Sequence, residues 1–417
     1  MTSSRDVLRR VGARVPVPQP AFDRLMRRRA RRRRNQRIAS GVFAAILAAG
    51  AMGAAIRVLH DVKQRQIPAH GQITPDNIGQ LRLLGSPQVG GHIVSVQVSD
   101  GLVYVVSREE HSVRFVAFSA DCSRSCTPAW IGDVGDARPR GGSAAGDGMV
   151  YVATDELYAF SASCGSGGSV CEPAWVGHVQ GRAFDPVLGN GAVFVATEQR
   201  LYSFPTSCAS TGGSCVPNWV AKLVPVGFNH PLVVGGTIYL FDCCDAPSTG
   251  WVAFPTDCGT GGAICKPLAS APPPPPLQTI ADGESFIGNV DRGTISAYPP
   301  TCALGLGAKN VKPADCQPLW TSTGFSSDRG GFIAPGGGLL YVFQHFGGCC
   351  AGIGNGGGIL AYPTRCGTED ASCGPVWTWR TGQDGQAAVP ISSLATNGRL
   401  LFAGSNDGRL YVFGVRT

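Results

Sequence analysis

The sequence predicts an all-β fold: a seven-bladed β-propeller with disulfide-stapled blades, preceded by a single N-terminal transmembrane helix. Three observations predict it. Short alternating apolar words recur along the chain, and Trp130, Trp175 and Trp219 fall 45 and 44 residues apart, the period of a propeller blade. Cysteines recur in register with those words. An uncharged apolar stretch near the start follows a run of arginines.

Composition narrows the class first. Of 417 residues, 58 are glycine, 43% are hydrophobic and only 15% are charged. That rules out a disordered acidic chain, a coiled coil and a polytopic membrane protein. The net charge of +7 is local: residues 1–37 hold thirteen arginines and no lysine against two aspartates, so the remainder is mildly acidic. A nucleic-acid-binding domain would spread such charge over a folded face, so no nucleic acid is expected.

The arginine-rich tail spans 1–37, with nine arginines between Arg24 and Arg37. Residues Ile38–Ile56 carry no charge over 19 positions, which as a helix spans about 28 Å, close to the ~30 Å hydrocarbon core. The arginines before it place the N-terminus in the cytoplasm and the rest outside. A transmembrane helix over 38–59 is therefore expected, its membrane contact running Ile38–Leu59. The competing reading is a cleaved signal peptide at Ala49-Gly50-Ala51. A linker, 60–75, leads to a propeller over 76–417.

Six copies of the repeat follow. The first reads Gly101-Leu-Val-Tyr-Val, Val116-Ala-Phe-Ser, Cys122, Cys126, Pro128, Trp130. The second and third repeat it through Leu157-Tyr-Ala-Phe and Leu201-Tyr-Ser-Phe to Trp175 and Trp219. The fourth carries Val252-Ala-Phe-Pro, the fifth Ile295-Ser-Ala-Tyr and Trp320, the sixth Leu360-Ala-Tyr-Pro and Trp377. Each copy supplies an inner strand, a Tyr-Val strand, an Ala-Phe strand and a Trp strand. A seventh copy ends at Leu410-Tyr-Val-Phe with only three. Its missing outer strand is expected from Leu81-Arg-Leu-Leu-Gly85, which joins both ends of the chain in one blade and leaves no free closure edge.

All sixteen cysteines lie after residue 121, a usage that suits an oxidising compartment. Six pairs bracket the turn before the Trp strand. They are Cys122 with Cys126, Cys164 with Cys171, Cys208 with Cys215, Cys258 with Cys265, Cys302 with Cys316, and Cys366 with Cys373. Four of these are Cys-x6-Cys, whereas zinc ribbons favour shorter spacings in pairs of pairs. Six intra-hairpin disulfides are expected, stapling surface turns rather than building the core. Cys243-Cys244 and Cys349-Cys350 remain, each between a Tyr strand and an Ala-Phe strand. Each pair closes a strained vicinal ring or bridges elsewhere in its Gly-rich loop; a strained ring suits redox or ligand roles.

The words Gly-x-Val-Tyr-Val, Leu-Tyr-Ala-Phe and Trp resemble the PQQ-like, WD40-like β-propeller repeat family, in its membrane-anchored bacterial form, over residues 76–417. Quinoprotein dehydrogenases and outer-membrane assembly propellers share those words. The resemblance implies the propeller and does not imply the cofactor. The bracketing cysteines depart from the family. In quinoprotein dehydrogenases a vicinal disulfide touches the cofactor, which the two vicinal pairs resemble.

The default binding site of a propeller is the funnel over its central channel. Lining up the copies puts Asp185 and His230 at equivalent rim positions, with Arg182 and Asn229 near. Ser95, Gly142, Leu277, Phe332 and Ser392 take the place in other copies. A carboxylate and an imidazole at one rim suit acid–base work; hydrogen-bonded rim residues are the plainer reading. No catalytic or metal residues are assigned. Asp407-Gly408 reads as a hairpin turn, and Pro272–Pro276 as an extended spacer. The expected function is a membrane-anchored, extracytoplasmic binding or scaffolding module for a protein or envelope component, at the plasma membrane of a bacterium, with no cofactor. The alternatives are a dehydrogenase using pyrroloquinoline quinone and calcium, or a thiol–disulfide redox sensor at the vicinal cysteines.

Overall fold

The computed structural model describes residues 71–417 apart from 111, 136–140, 209–212, 224–227, 235, 243–250, 261, 272–276, 282–283, 290–293, 299–316, 323–332, 346–356, 367–370, 383–388 and 416–417. The tail, the expected membrane helix and the polyproline run lie outside these residues. So do Cys302 and Cys316, expected to pair, and the vicinal cysteines Cys243, Cys244, Cys349 and Cys350. Among the described residues no helix is long and apolar enough to cross a membrane.

The strands form seven sheets, each built on four antiparallel strands. Blade one runs β2 (His92–Ser99), β3 (Leu102–Arg108), β4 (Val113–Ser119), β5 (Pro128–Gly132) from channel to rim. Blade two runs β6 (Ser143–Gly146), β7 (Met149–Ala153), β8 (Leu157–Ser161), β10 (Trp175–Gly177). Blade three runs β11 (Val187–Gly189), β12 (Ala192–Ala196), β13 (Arg200–Pro205), β15 (Trp219–Lys222). Blade four runs β16 (Phe228–Val234), β17 (Thr237–Asp242), β18 (Trp251–Pro255), β20 (Ala269–Ala271). Blade five runs β21 (Leu277–Ala281), β22 (Glu284–Asn289), β23 (Thr294–Tyr298), β24 (Trp320–Ser322). Blade six runs β25 (Ile333–Gly336), β26 (Leu339–His345), β27 (Gly357–Pro363), β29 (Trp377–Arg380).

Blade seven joins the chain ends as the repeat count requires. Its strands β30 (Ile391–Thr396), β31 (Leu400–Ser405) and β32 (Leu410–Val415) are completed by β1 (Leu81–Gly85), with Leu81 opposite Val415. The Asp407-Gly408 turn links β31 to β32, its carboxylate accepting from the Arg409 N–H and the Tyr411 hydroxyl.

Side-chain alternation builds the core. Along β3 the odd and even positions face different neighbouring blades, and Val103, Tyr104, Val105 and Val106 are all fully buried. The turns into the second strands need positive φ at two successive residues. Asp100-Gly101, Asp147-Gly148 and Asn190-Gly191 supply it, at 52°/73°, 56°/74° and 49°/71°, the geometry that matches hairpin twist. Outer-strand tryptophans pack several blades against the next. Trp130 packs 6.0 Å from Phe160 and donates to the Ala162 carbonyl, and Trp219 and Trp320 donate to Thr256 and Thr364 in the same way. In blade two the residue two beyond the Trp must be small: a Cβ on Gly177 would sit 2.8 Å from the Phe204 ring.

Five of the six expected disulfides are present among the described residues: Cys122–Cys126, Cys164–Cys171, Cys208–Cys215, Cys258–Cys265 and Cys366–Cys373. The expected sixth, joining Cys302 to Cys316, lies outside the described residues. The role of four of the five differs from the expected surface staple. The second cysteine of four of them ends a three-residue strand that crosses to the preceding blade and pairs parallel to its outer strand. These are β9 (Ser169–Cys171) on β5, β14 (Gly213–Cys215) on β10, β19 (Ala263–Cys265) on β15 and β28 (Ala371–Cys373) on β24. Cys171, Cys215, Cys265 and Cys373 are only 1–3% exposed and belong to the inter-blade cores. Each of these four disulfides therefore ties a loop of one blade onto its neighbour.

The junction of blades six and seven is closed another way. The chain before β1 lies over it: Ile73 and Ile78 are buried with Leu339, Tyr341 and Trp379, and the Ile73 N–H donates 2.7 Å to the Gly398 carbonyl.

Candidate functional site

The inner strands of the blades line a central channel. A cavity of about 310 Å3 opens there, bordered by Ser95 and Gln97 of β2, Ser143 of β6, Asp185 and Pro186 ahead of β11, and Ser393 of β30. Asp185, one of the expected rim residues, is among those that line this cavity.

Its chemistry is largely that of a joint between blades. The Asp185 carboxylate accepts from the Gly142 N–H of blade two. Ser95 and Ser143 face each other at 3.0 Å, and the Ser143 N–H donates to the Ser95 hydroxyl at 3.1 Å. The Ser393 hydroxyl accepts from the Val96 N–H at 2.9 Å, and the Ser392 hydroxyl donates to the Ile93 carbonyl. Blades seven, one, two and three are laced together by these bonds, whose short side chains reach a neighbouring backbone without filling the channel.

The other candidates are placed differently. Arg182 is exposed, is not among the cavity's lining residues, and lies 3.6 Å from Glu198. The turn that positions Asp185 thus sends its near neighbour to the surface. Asn229 and His230 sit on β16 where its register with β17 shifts between Asn229 and Leu232; their side chains lie outside the described residues. The alignment also needs a one-residue correction in blade seven. A bulge between Ile93 and Ser95 is matched by one between Ile391 and Ser393, so Ser393 and not Ser392 holds the register position of Ser95. A bulge inserts a residue without changing polarity, so nothing in the local pattern marks it.

A second depression of about 450 Å3 lies between blades one and seven, bordered by Asp100, Asp121, Asn397 and Arg399. The Asn397 amide there donates 3.0 Å to the Ala120 carbonyl and so joins the two blades. Among the described residues no group of three or more His, Cys, Asp or Glu side chains is arranged to hold a metal ion.

The perimeter has a different character. Among the described residues five large apolar side chains stand out in solvent: Val170 (67% exposed), Val216 (65%), Ile264 (82%), Leu268 (59%) and Val376 (45%). All five belong to the cysteine-bracketed loops or to the short link from them to the outer strand. Val170 and Ile264 are the middle residues of β9 and β19. Sequence reasoning missed this surface because its residues are scattered singly and acquire a common location only when the loops cross between blades.

The chain matches no protein-family model, and no curated protein matches it. Among solved structures it is similar to BamB from Moraxella catarrhalis, at 12% identity over 80% of this chain and 97% of that one, with a TM-score of 0.46. It is similar also to the computationally designed Ika8 protein, at 9% identity over 80% of this chain and all of the other, with the same TM-score.

Proposed function

We propose that the protein is a binding or scaffolding module, a propeller anchored through residues 38–59 and presented outside the bacterial plasma membrane, where it recruits a protein or envelope component. The observation that carries this reading is the perimeter. Among the described residues five exposed apolar side chains occupy related places, Val170 and Ile264 within disulfide-closed loops and Val216, Leu268 and Val376 on the short links that leave them, and a rim held in this way loses little entropy on docking. The channel supports the reading in a second way, since the hydroxyls and the carboxylate described there bond one blade to the next. The arginine-rich tail, the uncharged stretch after it and the disulfides support the location.

Photo-crosslinking amino acids placed at Val170 and Ile264 in producing cells test the proposal. A discrete adduct from these positions, absent when the crosslinker replaces the cavity residue Gln97, is the expected result. Adducts from neither rim position, together with saturable binding of pyrroloquinoline quinone and calcium and reduction of an electron-accepting dye, would replace it with an oxidoreductase.

A further inference from the structure

The depression between blades one and seven carries a set of charges that no other copy of the repeat combines. Blade one supplies Asp100, in the turn from β2 to β3, and Asp121, beside the Cys122–Cys126 disulfide. The Ala120 N–H donates 2.9 Å to the Gly101 carbonyl and brings their two turns together. Blade seven supplies Arg399, just ahead of β31, whose N–H donates 2.9 Å to the Asn397 side chain. Among the described residues no ion pair joins Arg399 to either aspartate. The copies show that the seam itself does not ask for these charges. Only the first copy is acidic both in its turn and before its first cysteine; the latter place is Ser163 in the second and Ser207 in the third. Leu102, Met149, Ala192 and Leu339 take the place of Arg399 in four copies. Asn190 of blade three donates 2.7 Å to Thr256 of blade four, much as Asn397 donates to Ala120, with Ala192 where Arg399 would stand. The amide bridge therefore joins two blades without the charged set.

We propose that this depression binds a free basic amino acid, an ion with two ammonium groups and one carboxylate. The charges match group for group. Asp100 and Asp121 receive the ammonium groups, and the Arg399 guanidinium takes the carboxylate through its two-pronged N–H fork. A simple amine would leave the guanidinium unanswered, and a simple acid would face two like charges. The volume of about 450 Å3 falls within the range of about 300–1,000 Å3 for small-molecule sites. All three charged side chains reach solvent, so the pairs are weak one by one and screened by salt. Binding then depends on all three acting together, which sets a basic amino acid apart from ions that satisfy only one sign. The site shares no residue with the exposed apolar rim and is independent of what docks there.

Isothermal titration calorimetry of the full-length protein in detergent with L-lysine tests the proposal. Saturable binding that weakens as salt is added is expected. Arg399→Leu, which installs the residue of copies one and six, should weaken lysine binding about tenfold or more. The same variant should leave binding of cadaverine, the diamine without the carboxylate, unchanged. Asp121→Ser, which installs the residue of copies two and three, should weaken both ligands. Each change falls on an exposed side chain and introduces a residue that another copy already carries there, so the fold is kept. No saturable binding of lysine overturns the proposal, as does binding indifferent to both variants. An end-blocked Gly-Lys-Gly peptide that binds as tightly as lysine overturns it too, since that peptide offers no carboxylate to Arg399. Crosslinks at Val170 and Ile264 that persist through any of these failures leave the binding-module reading standing without this site.

Discussion

Blades one to three and the junction of blades six and seven carry the same outer-strand words, but they are finished differently. In the first group a disulfide-closed loop crosses to the preceding blade, lays down a parallel strand and buries its second cysteine beside a tryptophan that is 1–2% exposed. At the junction no such strand is present among the described residues. Ile73 and Ile78, from the chain ahead of β1, fill the seam, and Trp377 is left half-covered against Phe413 at 5.8 Å. A disulfide-closed clasp and a non-covalent strap thus hold equivalent seams. The difference teaches that the cysteines secure contacts between blades.

The largest effect that would sharpen this comparison is collective. Burial pushes the hydroxyls of Tyr104 and Tyr151 in the clasped blades, and of Tyr341 and Tyr411 near the strapped seam, well above the usual tyrosine value of 10.0; nearby Asp100, Asp147 and Asp407 reinforce the shift for the first two and the last. A raised value in the fold means that the neutral form is favoured there. The resulting stability is complete below pH ~10 and is lost as pH rises through and beyond it. Alkaline titration followed by ultraviolet difference absorbance should show these tyrosines ionising together with unfolding. Free titration of the four at the ordinary value, with the fold intact, would refute it.

Single substitutions come next. Trp219→Ala removes a fully buried ring and its bond to Thr256, and should cost about 3–5 kcal/mol in urea unfolding. Trp377→Ala, at the less covered position, should cost less than half as much. Ile73→Ala should cost about 2–4 kcal/mol and should raise hydrogen exchange in β29 and β30 while leaving β3 and β7 unchanged. Equal loss of protection in all blades would mean that the strap is not local to its seam. Replacing Cys164 and Cys171 together by alanine should cost about 2–3 kcal/mol, with faster exchange in β5 of the neighbouring blade. Exchange confined to the loop of blade two would return the disulfide to a surface staple. Smallest, Asp185→Asn should cost about 1 kcal/mol, since an amide oxygen still accepts from Gly142 but without charge assistance.

Much of this architecture is legible in the sequence. Alternation at Gly101-Leu-Val-Tyr-Val or Leu157-Tyr-Ala-Phe states a strand and its buried face directly, and the missing fourth strand of the last copy points to Leu81–Gly85. The pairing of Cys164 with Cys171 follows from spacing. The clasp does not, because Ser169-Val170-Cys171 is three residues long and pairs parallel with a strand nearly forty residues earlier, for which the local sequence carries no mark. The site divides in the same way. Asp185 is found from its place in the repeat, while its partner Gly142 donates through its backbone, which no side-chain reading reveals. Arg182 falls beside Asp185 by proximity in sequence, and a turn separates them.

The clasps all point backward, each blade being finished by a loop of a copy that comes after it. In a chain made from its N-terminus, every clasped blade therefore waits for a later one before its rim is covered, and the newest blade is always the incomplete one. Strand β1 waits longest. Leu81 emerges before any blade exists and finds Val415 only when the last strand arrives, so ring closure carries the entropy cost of the longest loop in the molecule. Until that moment β1 is an unpaired strand, and a chaperone that shields it would set the yield of the finished ring.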